Sequence, residues 1–190
     1  MTRGKNKIKY NLKNVHYAEL TETEGKITWG TPVAVPGAVS LSLDAEGDTS
    51  IFYADGVAYY VSVTNNGYSG DLEMALVPDG FRTDILGDTK DTKNVITENA
   101  DVTVKSFALL FQFDGDANGI RHVLYNCKAT RPTIESETKE DTIEPKTETL
   151  SLTASPLADG RVKAKTTDET DETTYNGWFN KVYEATAAEV

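Results

Sequence analysis

The 190-residue chain is short of the groups on which most protein chemistry is built. A single cysteine, Cys127, excludes an internal disulfide framework and a cysteine-based zinc site. Neither of its two histidines, His16 and His122, has a second histidine or a cysteine at ligand spacing, so both read as half-buried strand residues rather than metal ligands or general bases. Apolar runs are all too short to span a membrane, and the charged start lacks the apolar centre of a secretion signal. No membrane partner is expected, and folding is expected in a reducing cytoplasm. The chain also carries no nucleophile elbow, phosphate loop or dinucleotide fingerprint, so neither an enzyme nor a cofactor is expected.

Positive charge is scarce as well: 19 basic residues face 30 acidic ones, a formal net of -11. Arg3, Lys5, Lys7, Lys9 and Lys13 lie in the first thirteen positions, which hold no acid. Taking those five away leaves 14 basic and 30 acidic residues, a net of -16 for the rest. A body of that sign repels phosphate backbones, which argues against tight nucleic-acid binding by charge neutralisation. Opposite charges on arm and body favour self-association, so Arg3, Lys5, Lys7 and Lys9 are candidates for an arm that crosses to a second copy.

What the chain does have is alternation. In Asp71 to Val77, residues Leu72, Met74 and Leu76 fall on one side and Asp71, Glu73 and Ala75 on the other, the period of a half-buried strand with an acidic outer face. Pro78 and Asp79 then open a helix of about two turns, carrying Phe81, Ile85 and Leu86, that sets Phe81 and Ile85 four apart on one side and ends at Gly87. So short a helix must lie against a sheet. Val39, Leu41 and Leu43 share a face before Asp44 to Asp48 breaks the run, and Ile51 to Tyr53 and Val57 to Val63 form a strand pair around Asp55-Gly56. Phe107, Leu109, Phe111 and Phe113 form the most apolar face, with Val123, Tyr125 and Cys127 aligned on the next strand. Thr147 to Ala154 and Val162 to Lys165 read as a last hairpin. Tyr175, Trp178, Phe179 and Val182 follow at the spacing of a short amphipathic helix, free to cap this chain or to dock on a neighbour. The fold class is mainly β: an antiparallel β-sandwich flanked by a short α-helix, with a C-terminal helix. Residues 1–13 form a basic arm, 14–167 the sandwich, and 168–190 an acidic linker with the C-terminal segment.

Two features resemble chemistry. Asp114-x-Asp116-x-Asn118-Gly119 copies the first half of a calcium loop, but Tyr125 stands where the bidentate glutamate belongs, and the same residues make ordinary hairpin turns. The pairs Asp71 with Glu73 and Glu135 with Glu137 put two carboxylates on one strand face, where an acidic surface explains them without acid-base catalysis.

Four phrases, FYADG at Phe52 to Gly56, GYSGDLEMALVPDGFRTDILG at Gly67 to Gly87, FALLFQFDGDANGIRHVLYNCKATRP at Phe107 to Pro132 and TETLSLTASPLADGRVKAKT at Thr147 to Thr166, stand in an order that resembles the major tail proteins of siphophages. These are the tail-tube proteins of long non-contractile-tailed bacteriophages of Gram-positive hosts. The resemblance runs from about Val15 to Thr166. It implies a structural virion protein made in the host cytoplasm and assembled as hexameric rings stacked into a tube. Its partners would be copies of itself, the tape-measure protein, other tail proteins, and double-stranded DNA passing non-specifically through the lumen. Four strands from each of six chains, at roughly 4.8 Å, give a wall of about 115 Å circumference before tilt widens it. On this reading Asp44, Glu46, Asp48, Phe52 and Asp55 form the ring-stacking loop, and Asp71 and Glu73 face the lumen. The alternatives are a β-sandwich surface decoration or adhesin-type binding module and, behind it, a small hydrolase.

Overall fold

Strand-forming alternation governs most of the computed structural model, which describes residues 3–138 and 145–185. β1 (Lys9–Thr23) turns at Glu24-Gly25 into β2 (Lys26–Trp29), and β3 (Val33–Ala34) returns alongside it. β4 (Ala38–Glu46), β5 (Thr49–Ala54), β6 (Val57–Val63) and β7 (Gly67–Met74) run out and back as a long ribbon. After the helical turn α1 (Asp79–Phe81) come a small hairpin of β8 (Thr89–Lys90) and β9 (Ile96–Thr97), then β10 (Phe107–Gly115) and β11 (Ile120–Ala129). β12 (Glu148–Ala154), β13 (Lys163–Lys165) and α2 (Glu172–Gly177) complete the chain.

The main sheet is antiparallel in the order β2-β1-β10-β11-β12-β7-β4, with β3 on β1 and β13 on β11. β11 meets β12 only through Cys127 to Ala129 against Leu152 to Ala154. At that narrow joint the sheet folds over, and the sandwich is two layers of one hydrogen-bonded sheet. Leu72, Met74, Leu150 and Leu152 from one layer pack on Tyr17, Phe107, Leu109, Phe111 and Leu124 from the other. The opposite face of β1, β10 and β11 carries a second core of Ala18, Ala108, Leu110, Val123 and Tyr125, closed by Leu157, Trp178 and Val182.

The flanking helix differs in form from the two α-turns that the sequence predicts. One α-turn passes into a π-helical turn at Arg82–Leu86, ended by Gly87 with φ 81. The wider turn places residues four and five apart on one side, so Phe81, Ile85 and Leu86 are all buried. Phe81 meets Tyr17 and Phe107 edge-on, and Tyr17 donates a 2.7 Å hydrogen bond to Asp84. Glu148 accepts from Arg82 and from the Val77 backbone at 2.6 Å, fastening the helix entry to β12.

Four other local expectations are corrected. β7 ends at Met74 and the bend that follows changes parity, leaving Leu76 exposed and Val77 buried. β4 does not break at Asp44 but continues through Glu46, because each residue keeps a partner on β7. Cys127 does not align with Val123 and Tyr125: a bulge opposite Phe107 to Leu109 adds a residue to β11, so Cys127 joins Leu124 in the first core. β12 and β13 do not pair with each other, since both lie along β11, end to end.

Gly67 marks where the ribbon leaves the sheet. Its φ is 108, and a Cβ there would run into the carbonyl of Ala154. We expect Gly67→Ala to lower stability by about 1–3 kcal/mol or more, read as a shift in the urea midpoint without a change in slope.

Candidate assembly surface

The outer face of β4, β7 and β12 is built from carboxylates and hydroxyls. Alternation sends Leu41, Leu43, Leu72, Met74, Leu150 and Leu152 toward the core, and leaves Ser40, Ser42, Asp44, Glu46, Ser69, Asp71, Glu73, Thr149, Ser151 and Thr153 on the other side. Ser40 and Thr147 donate to Glu73 at 2.8 and 2.7 Å, Ser151 donates to Asp71 at 2.7 Å, and Ser69 donates to Glu46. The Thr147 and Ser40 hydrogen bonds hold the Glu73 carboxyl below its ordinary range. These three strands contribute no Lys or Arg to this face, and Lys128 on β11, opposite Thr153, stands at its border. Asp71 and Glu73 thus lie together on a hydroxyl-lined acidic surface. The hydroxyls were not singled out from sequence, although their signal was the Ser/Thr set alternating with leucines in Ser40 to Leu43 and Thr149 to Thr153.

The ribbon of β5 and β6 has no cover on either side among the described residues. Phe52, Tyr53, Tyr59 and Tyr60 are 62, 64, 71 and 62 % exposed, and Ile51, Val57, Val61 and Val63 are exposed with them. Asp55 and Gly56 both have positive φ, the geometry of the tight hairpin turn that matches strand twist. Thr64 and Asp48, then Asn66 and Glu46, continue the backbone pairing across Gly47, so the ribbon is a stiff extension of β4 and β7. The six residues of β5 alone reach about 20 Å past the sheet. Of the residues grouped as one loop, Phe52 and Asp55 belong to this projection and Asp48 to its root, whereas Asp44 and Glu46 belong to the acidic face. Consecutive apolar residues at Ile51 to Tyr53 and Tyr59 to Val61, rather than alternating ones, are the sequence signal for a strand pair apolar on both faces.

The basic arm is held by its own chain. Asn6 accepts from the Ala117 and Asn118 amides at 2.9 Å each and donates to the Asn118 carbonyl, while Lys7 and Ile8 donate their amides to Asp116. Arg3 lies 3.7 Å from the centre of the Tyr175 ring, and the Lys9 ammonium lies over Phe113. Lys5 borders a small cavity with Lys165 and Asp168. The same contacts engage Asp114, Asp116 and Asn118, the residues that copy the first half of a calcium loop. Asp114 pairs with Lys13 at 2.7 Å and accepts from Asn11 and Gln112, Asp116 takes the arm's amides, and Asn118 donates to Gly4. These oxygens point to the arm rather than converging on one centre.

The C-terminal aromatics also turn onto this chain. α2 is N-capped by Asp171, which accepts from the Thr174 amide, and it ends at Gly177, so Trp178, Phe179 and Val182 follow the helix instead of riding on it. Trp178 is buried and donates to the His122 carbonyl at 3.2 Å, Val182 is buried beside it, and Phe179 stacks on His16 at 4.8 Å. Tyr175 is sandwiched between the guanidinium groups of Arg3 and Arg121, at 3.7 and 3.9 Å. Residues 186–190 of the segment and residues 1–2 of the arm lie outside the described residues.

Cys127 and His122 both lie within the packed sheet, and their surroundings set their titration. Burial pushes the Cys127 thiol up to about 12. His122 stacks on Phe111, and burial, followed by the charges of Lys165, Lys163 and Lys9, lowers its pKa from 6.5 to about 4. Among the described residues no group of three or more His, Cys, Asp or Glu is placed to hold a metal ion.

No family model matches the chain, and no curated protein matches it. Among solved structures, a chain from the cryo-EM structure of the anti-feeding prophage cap, the AFP tube terminating cap, is similar at 14% identity and a TM-score of 0.44, over 84% of this chain and 93% of that one.

Two outcomes follow from these placements. Trp178→Ala should cost about 3–5 kcal/mol in the isolated chain, measured by chemical denaturation, because it opens the second core. For His122, the unfolded chain binds a proton near pH 6.5 and the folded chain only near 4, so stability falls as pH drops through that window and is unaffected above it. His122→Phe should flatten that part of the urea-midpoint profile.

Proposed function

We propose that this chain is a structural, non-catalytic component of a phage tail: the major tail-tube subunit of a long non-contractile tail, assembled as hexameric rings stacked into a tube. The observation that carries this reading is a surface with two incomplete parts. One is the uncovered β5–β6 ribbon, since a two-stranded hairpin with apolar faces is marginal in water until something packs on it. The other is the open sheet edge at β4, which among the described residues pairs only with β7, as β2 pairs only with β1, so that each offers backbone groups to a neighbouring strand. Copies of the same chain meet both needs when they close into rings, and the ordered resemblance of the four sequence phrases supports the same assembly.

In that tube the face bearing Asp44, Glu46, Asp71 and Glu73 lines the lumen. The C-terminal end of β11 with β12, β7 and β4 supplies four adjacent strands per subunit to the wall. Hydroxyls bonded to the carboxylates keep the acids in fixed positions, and a wall of this sign repels the genome from every side, so DNA slides without a sticky position. The β5–β6 ribbon, rather than an acidic loop from Asp44 to Asp48, makes the ring-to-ring contact. Subunits fold in the host cytoplasm, assemble around the tape-measure protein with other tail proteins, and end in the virion.

Negative-stain electron microscopy at rising protein concentration, with light scattering beside it, tests the proposal. Hollow rings or tubes of uniform width are expected. A monomer at every concentration, and in the presence of a tail-initiator complex, would overturn it in favour of a surface-binding module. Asp71→Lys with Glu73→Lys should leave assembly intact and impair genome delivery, read as plaque formation by phage carrying the double variant.

A further inference from the structure

Between β4 and β7 of one layer and β10, β11 and β13 of the other, a cleft of about 220 Å³ opens beside the first core. Leu41, Leu43, Phe111, Phe113 and Leu124 make its walls together with the His122 ring, and its rim carries Lys9, Lys163 and Tyr68. The Lys163 ammonium bonds to the Tyr68 hydroxyl and the Lys9 ammonium lies 5.4 Å above Phe113, so both cations are drawn over aromatic rings at the mouth. No carboxylate lines it. The cleft is smaller than the ~300–1,000 Å³ usual for small-molecule sites, and it suits a protein side chain.

We infer that this cleft receives the tip of the β5–β6 ribbon from a second copy of the chain, a contact that rests on the self-assembly proposed above. The occupant follows from complementarity. From Thr49 to Val63 the ribbon carries one charge, Asp55 at its turn, beside the exposed rings of Phe52 and Tyr53. An apolar tip with one carboxylate matches an apolar cleft with two ammonium groups at its rim. The ribbon springs from β4 and β7, whose Leu41, Leu43 and Tyr68 form one wall of the cleft, and its tip stands roughly 30–45 Å away along the strands. A copy therefore does not fill its own cleft. Tip into cleft is a head-to-tail contact, which leaves one free tip and one free cleft after every addition and so propagates.

Cysteine trapping distinguishes this contact from the assembly on which it rests. In a Cys127→Ala background, Val57→Cys is placed on one batch of full-length chain and Lys163→Cys on another. Mild oxidation of the mixture should give a disulfide-linked heterodimer, located by mass spectrometry, while neither batch alone gives a cross-linked pair joining tip to cleft. Lys9→Glu with Lys163→Glu should raise the concentration needed for assembly at least tenfold, with the thermal midpoint of the subunit unchanged. Rings or tubes that form without the mixed disulfide would overturn the tip-in-cleft contact and leave the tube reading standing. Failure of every form to self-associate would overturn both.

Discussion

Burial of β10 on both faces is the constraint from which the rest of the fold follows. Phe107, Leu109 and Phe111 face one way, Ala108 and Leu110 the other, and none is more than 4% exposed. A central strand that is apolar on both sides needs a cover on each. The β4-β7-β12 layer and the helical turn at Phe81 supply one, and the C-terminal segment through Trp178 and Val182 supplies the other. The N-terminal arm and Tyr175 then tie the two ends of the chain together over the β10–β11 turn, through Asn6, Arg3 and Arg121.

The β5–β6 ribbon has the opposite character. Its composition is as apolar and aromatic as that of the core strands, yet it has no cover within the described chain. Sequences that specify a single fold keep such faces inside. Here the exception is concentrated in one stiff projection whose turn residues are well chosen for their backbone geometry, which marks it as a built feature rather than a misplaced core strand. Next to it, the acidic face is just as consistently built: every carboxylate that projects from β7 accepts a hydrogen bond from a neighbouring hydroxyl. An apolar projection and an acidic face on one chain are the two features on which the proposed tube rests.

The sequence by itself determined the strand class of the chain, the acidic outer side of Asp71 and Glu73, the inward pair Phe81 and Ile85, and the Asp55-Gly56 turn. Each is a local matter of side-chain period or of backbone geometry available to Gly and Asp. Tertiary structure alone decided the parity changes at Leu76 and Cys127, because a bend or a one-residue bulge reverses which face a side chain takes and leaves the period on either side intact. It also decided that Tyr175, Trp178, Phe179 and Val182 cover this chain's own second core, and that Asp114, Asp116 and Asn118 serve the arm. Those outcomes depend on which distant segment reaches a surface first, and in this fold residues more than a hundred positions apart supply each other's hydrogen bonds. The period of an aromatic stripe states only that it will be buried; the shape of the sheet it meets decides where.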